Sequence, residues 1–322
     1  MDRLSFKLIF QIGFCLLLLY SQKDLNLRNS TPIKFPFKEN LLIKRVRGIE
    51  TDNNNRLYLL NPKYGNVIVL DLNTGSLIKT ISSKGQGPYE LGEPRSFKIK
   101  NDKLYIADDL YGGVKIFSTE GEFVRSFKVN RLSSYCWRID VDDLGNIYVP
   151  YFNFNEKKSV LILNESGEVK KAIITNPFMN ADKSLEMFKN LIFDFAIDPN
   201  LDIIIVYPLQ RKIKKYNNNG FLQWEKVIPI ENIPKNWPKE ITVSPDGSVS
   251  RSPLIGKIYL NNRGDMIVST IDRLIRFNGN GQIISNIFGL DLGYEIKWHN
   301  EKIIAYSVFG EGIEIFKFKE EK

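Results

Sequence analysis

Chemistry is first suggested by SSKGQGPYELGEPR (residues 82–95), where Gly85, Gly87 and Gly92 alternate with Pro88 and Pro94. A phosphate-gripping loop needs G-x-x-x-x-G-K-[ST] between a strand and a helix. Gly92 is instead followed by Glu93-Pro94 and a strand-like run, so that loop is excluded. The dinucleotide fingerprint fails for the same reason, because its glycines must open a helix whose N-terminus holds the pyrophosphate. His299 is the only histidine, which removes multi-histidine zinc sites and leaves a Ser-His-Asp triad without a well-placed base. Cys136, between Tyr135 and Trp137, reads as a small apolar packing residue. Oxygen chemistry remains: Asp108-Asp109, Asp194 and Glu295 could bind calcium if the fold brought them together.

The elements that would position these residues repeat along the chain. SFKIKNDKLYIADDLYGGVKIFSTEGEFVRSF (residues 96–127) contains four short runs rich in β-branched and aromatic residues, separated by turn signals. The same grammar returns in residues 48–80, 138–171, 194–224 and 257–286, and a three-strand copy follows in 295–318. Six such units predict an all-β protein: a six-bladed β-propeller with four-stranded antiparallel blades. The incomplete last blade is expected to be closed by an N-terminal strand, for which Leu41-Leu42-Ile43-Lys44 is the candidate.

The second unit resembles the NHL repeat of six-bladed propellers. Gly85, Gly87, Pro88 and Pro94 match its connector, Tyr105-Ile106-Ala107-Asp108 its "YVAD"-like run, and Val114-Lys115-Ile116-Phe117 with Gly121 and Phe123 its later strands. The usual Asn-Arg pair is replaced by Gly112-Gly113. The resemblance covers residues 41–318 and implies a fold that hosts receptors, scaffolds and several enzymes. Zinc-dependent lyases occur on similar propellers, and the lone histidine counts against that chemistry here; calcium-using, lactone-cleaving ones keep a carboxylate alternative open. At Asp108, the repeat implies a strand-capping role.

The expected domain plan is a signal peptide or N-terminal anchor (1–21), a linker (22–40), the propeller (41–318) and a charged tail (319–322). The apolar run LIFQIGFCLLLLY (residues 8–20) follows Asp2, Arg3 and Lys7, and at 13 residues it suits a secretory signal better than a span of about 20 residues. Export to the periplasm or cell envelope, or secretion, follows. The net charge of +8 is spread without a basic block, which gives nucleic-acid binding little support.

In a meandering blade, the turns between strands one and two and between three and four share one face. On that face every turn is short. Long segments at 84–95, 150–158, 175–190 and 229–256 gather on the other, where binding residues usually sit. Residues 180–190 (NADKSLEMFKN) could add a short helix there. Candidate contacts are Tyr89, Tyr111, Trp137, Tyr151 and Trp237, with Arg95 and Arg138. Alignment of the first strands adds a ring of Arg47, Arg95, Arg138, Asp194, Lys257 and Glu295 at the channel mouth. Two functions are expected from these residues. The first is a monomeric, non-catalytic propeller binding a protein, peptide or glycan, without a cofactor. The alternative is a periplasmic hydrolase or lyase with carboxylate-bound calcium in the channel. The second requires three converging oxygen ligands and fails if cations occupy Asp194 and Glu295.

Overall fold

A computed structural model describes residues 24–27, 33–35, 43, 46–129, 138–153, 158–175, 189–233, 235, 254–261, 263–291, 293–299, 302–307 and 313–317. Residues 1–21, Cys136, Trp137 and Trp237 lie outside them, as do residues 180–188 of the expected helix; Lys189 and Asn190 are helical.

Six antiparallel sheets form the blades. In each blade the first-named strand is the innermost. Blade 1 holds β3 (Gly48–Thr51), β4 (Arg56–Asn61), β5 (Asn66–Asp71) and β6 (Leu77–Ile81). Blade 2 holds β7 (Pro94–Lys100), β8 (Lys103–Asp108), β9 (Gly113–Ser118) and β10 (Phe123–Lys128). In blade 3 they are β11 (Asp140–Val141), β12 (Ile147–Asn153), β13 (Lys158–Leu163) and β14 (Val169–Thr175). Blade 4 follows with β15 (Asp194–Ile197), β16 (Ile203–Tyr207), β17 (Lys212–Tyr216) and β18 (Leu222–Val227). Blade 5 comprises β19 (Ile255–Leu260), β20 (Met266–Thr270), β21 (Leu274–Phe277) and β22 (Ile283–Phe288). Blade 6 supplies only β23 (Tyr294–His299), β24 (Lys302–Ser307) and β25 (Ile313–Lys317) from the C-terminal part.

An N-terminal strand closes blade 6, and it is β2 (Ile33–Phe35), antiparallel to β25; Leu41, Leu42 and Lys44 of the expected strand lie outside the described residues. Ile43 lies in no strand and packs into the wedge between blades 6 and 1. Pro32 and Pro36 flank β2, and an outer edge strand tolerates them because half its backbone groups need no partner. Upstream, β1 (Leu25–Asn26) adds a parallel fifth strand to blade 5, so residues 25–26 and 33–35 of the expected 22–40 linker lie in the propeller's sheets.

The core is six wedges between neighbouring blades. In β16, Ile203, Ile205 and Tyr207 face blade 3 while Ile204 and Val206 face blade 5. This period-two division buries both faces of the middle strands, which therefore read as unbroken apolar runs such as IIIVY. Outer strands meet one neighbour at most, and β18 (LQWEKV) is largely exposed.

Turns on the short-turn face are built by Asx side chains. Asp142 Oδ1 accepts the amides of Leu144 (2.9 Å) and Asn146 (2.8 Å), and its Oδ2 accepts the Tyr148 hydroxyl at 3.0 Å. Asp52 repeats this with Asn54, Arg56 and Tyr58, and Asn261 takes the same position in blade 5. Gly167 closes one outer turn with φ 88°, where a Cβ would lie 2.4 Å from the Phe127 ring of blade 2. A left-handed backbone and that close approach both require glycine.

Candidate functional site

The inner strands begin on the connector face and run toward the short turns, so their first residues surround the channel mouth. Arg47, Arg138, Asp194, Lys257 and Glu295 line a central cavity of about 70 Å³, as expected. Arg95 does not. A bulge between Pro94 and Ser96 breaks the alternation of β7, so Ser96 takes the channel position. Arg95 instead pairs with Glu93 (2.7 Å) and Asp109 (2.9 Å).

At the mouth, the cations reach across the ring. Arg138 Nη1 of blade 3 contacts Asp194 Oδ2 of blade 4 at 3.0 Å and the Ile258 carbonyl of blade 5 at 2.5 Å. Asp194 Oδ2 also accepts the Ile258 amide at 2.8 Å. Burial would lower the Arg138 pKa, but Asp194 and Asp140 outweigh it and hold the guanidinium charged. Lys257 Nζ donates to Glu295 Oε1 at 2.5 Å and to the Arg47 carbonyl of blade 1 at 3.3 Å.

One step down the inner strands lies a second tier, absent from the sequence candidates. Lys297 binds Glu50 at 2.5 Å; Lys98 bridges Glu50 (3.6 Å) and Asp140 (3.1 Å), and Asp140 Oδ2 accepts the Ile197 amide at 2.9 Å. The chain of contacts thus links blades 6, 1, 2, 3 and 4. Burial raises Glu50 and Asp140, yet Lys297 and Lys98 prevail for Glu50, and Lys98 and Arg138 for Asp140, leaving both below the usual carboxylate range. Burial, with Lys98 nearby, pulls Lys297 below its usual value against the attraction of Glu50. A sequence signal for this tier existed: Arg138-x-Asp140, Lys257-x-Tyr259 and Glu295-x-Lys297 keep the i, i+2 spacing that returns a strand residue to the same face.

The rim aromatics divide. Tyr89 is 65% exposed, but its ring packs edge-on against Phe123, which pairs with Phe117 beside the short Glu120-Gly121 turn. It therefore lies on the flank of blade 2, apart from the connector rim where it was expected. Tyr111 donates to Ser126 Oγ at 3.0 Å and lies under Lys115 and Lys128. Tyr151 is half-buried against the wedge between blades 2 and 3.

The glycine-rich connector is held by its own side chains. Glu90 Oε2 accepts the Gly87 amide at 2.8 Å, and a Cβ on Gly85 would collide with that carboxylate. Buried Lys115 clamps the Gly87 and Glu90 carbonyls at 2.7 and 2.5 Å. Asp108, fully buried, accepts the Gly92 and Glu93 amides at 2.8 Å each, which is the capping role its repeat position implied.

The donor set does not fit calcium. Asp194 and Glu295 each carry a cation, Asp109 carries Arg95, and among the described residues no group of three or more His, Cys, Asp or Glu side chains could hold a metal. His299, at the short-turn end of β23, hydrogen-bonds Thr51 through Nδ1 at 2.9 Å.

The model of the family described as 6-bladed beta-propeller (DUF5128) matches residues 33–240, well over half of the chain. The chain belongs to that family. No curated protein matches it. Among solved structures, a member of the duf4221 family from Bacteroides vulgatus is similar at 12% identity and TM-score 0.60, over 89% of this chain and 96% of that one. A Bacteroides fragilis protein whose name gives it as exported is similar at 14% identity and TM-score 0.58, over 90% and 95%. Virginiamycin B lyase from Staphylococcus aureus, solved with quinupristin, is similar at 12% identity and TM-score 0.56, over 90% and 99%. At such identities the likeness is one of fold. Among the described residues no helix is long and apolar enough to cross a membrane.

Proposed function

We propose that this six-bladed propeller is an exported, non-catalytic binding protein of NHL-like repeat build. Its connector face takes a protein, peptide or glycan partner. The observation that carries the reading is the pairing at the channel mouth. Asp194 is bound by Arg138 and Glu295 by Lys257, at 3.0 and 2.5 Å. Neither carboxylate is poised as a general base or metal ligand, whereas a rigid polar mouth ringed by long connectors suits recognition. Monomeric behaviour and the absence of a required cofactor belong to the same reading. Export is supported by the apolar run at residues 8–20 and by the name of the Bacteroides fragilis neighbour.

The test is affinity capture from envelope extracts with the intact protein and with a variant whose connector at residues 229–256 is shortened. A partner held by the first and lost by the second is expected. Identical capture by both would remove that connector from the binding face.

A further inference from the structure

Blade 5 carries one strand more than the ring requires. β19 to β22 already make the four-stranded sheet found in blades 1 to 4, and β1 is added outside it. By contrast, β2 supplies the fourth strand that blade 6 lacks. Residues 24–27 (DLNL) thus lie on blade 5 in the manner of a bound peptide. Leu25 and Asn26 pair in parallel with Ile287 and Phe288, the main-chain mode by which an extended segment adds to a sheet edge. Asp24 and Asn26 are exposed, whereas Leu27 is 7% exposed and joins the apolar cluster of Leu274, Ile287 and Leu290. The acidic end is received by a site built from below. Asp24 Oδ1 accepts the Asn286 backbone amide and the Asn286 side-chain Nδ2, each at 2.9 Å. Asn286 Oδ1 accepts Arg273 Nε at 2.9 Å. A guanidinium only donates and a carboxylate only accepts, so a turned Asn286 amide would lose both partners. Arg273 is itself 1% exposed and is fixed by Asp272 at 2.9 Å and Glu231 at 2.8 Å. The two Asn286 donors are therefore aimed at a carboxylate in advance, with the leucine position three residues further on.

We propose that the outer edge of blade 5 is a docking groove for an extended Asp-x-x-Leu peptide, filled in cis by residues 24–27 and open to a partner segment of the same chemistry once they leave. Only the two residues of β1 are paired, and residues 28–32 separate Leu27 from β2, so release of the strap leaves blade 6 closed. While it stays attached, the cis segment competes at the effective concentration of a short tether, about millimolar, and keeps the groove occupied. The groove lies on the flank of blade 5, apart from the channel mouth. Neither this inference nor the reading of the connector face depends on the other.

Saturation-transfer NMR on the full chain provides the test, with the acetylated and amidated peptide of residues 22–29 (QKDLNLRN) as the probe. Leu27→Asp expels the strap from its wedge and is expected to bind the probe about tenfold more strongly than the wild type, whose groove is filled. Asn286→Asp, added to Leu27→Asp, still offers Arg273 an acceptor but sets a carboxylate against that of the probe. It is expected to abolish the gain. A probe carrying Asp24→Lys is expected to bind Leu27→Asp no better than it binds the wild type. Should Leu27→Asp lose its cooperative thermal transition, Asp24→Lys in the protein releases the strap from its exposed end and takes its place. A folded strap-released variant that binds no probe, equal binding by the wild type, or a gain that survives Asn286→Asp would each overturn the proposal.

Discussion

The two ends of the inner strands use their polar groups differently. Toward the short turns, nearly every group is spent on the ring itself. Asp52 and Asp142 fold their own turns, Glu120 joins Arg56 to Lys79 across blades 1 and 2, and Glu165 takes Lys103 and the Tyr105 hydroxyl. The Lys297–Glu50–Lys98–Asp140 chain then ties successive blades in order. At the connector end, Arg138 and Lys257 reach past a blade to backbone carbonyls. One end ties neighbouring blades in order; at the other, cations reach across the channel mouth to more distant blades. Substitutions at the short-turn end should therefore act on stability, and those at the mouth on binding.

The largest effect is expected from Glu50→Gln, which leaves Lys98 and Lys297 close together in the channel without their shared carboxylate. Breaking a buried pair from one side costs about 3–5 kcal/mol, so the urea midpoint should fall sharply. The same carboxylate makes stability depend on acid. Glu50 and Asp140 have folded pKa values depressed from the ordinary 4.5 and 3.8. Their contribution is full above those values and is lost as pH falls through the lower folded ones. Unfolding free energies measured between pH 5 and 2 should decline steeply in the wild type and less steeply in Glu50→Gln.

Asp142→Ala comes next, at about 2 kcal/mol, because it strips two turn amides and the buried Tyr148 hydroxyl of their acceptor. Asp142→Asn should restore the two turn amides, as Asn261 does in blade 5, but not the acceptor of the Tyr148 proton, and so recover part of that loss. Equal midpoints for the two variants would contradict the Asx account.

Glu295→Gln should change stability by only about 1 kcal/mol, because Lys257 is about one-third exposed and water can replace its partner. A loss as large as that of Glu50→Gln would erase the distinction between the two ends.

The smallest expected effect concerns His299. Burial, with Lys297 and Lys302 beside it, holds its folded pKa below the ordinary 6.5. The unfolded chain therefore gains a proton first, and stability should slip as pH falls below 6.5. His299→Gln should flatten that slope between pH 7 and 5.5 in denaturant titrations.

Much of this architecture was legible in the sequence because it is local. The six meanders, the Asx-Gly turns and the missing strand of blade 6 all follow from short-range patterns. What was missed depended on distant partners. The strand Ile33–Phe35 is three residues long between two prolines, and only β25, almost the whole chain away, makes it a strand. The apolar run at residues 41–44 looked better by composition, yet Ile43 serves as wedge filling. A two-residue parallel strand such as β1 leaves no periodicity to read. At the site, Arg138, Asp194, Lys257 and Glu295 were found by aligning strand starts, and Arg95 was misplaced because one bulge shifts a side chain out of the ring.

The central claim is that partners dock on the connector face. Hydrogen–deuterium exchange of the protein alone and bound to the partner captured from envelope extract tests it directly. Protection is expected in residues 84–95 and at the starts of the inner strands around Arg138, Asp194 and Lys257, with the Asp52 and Asp142 turns unchanged. Protection concentrated in those turns, with the connector end exchanging as freely as before, would contradict it.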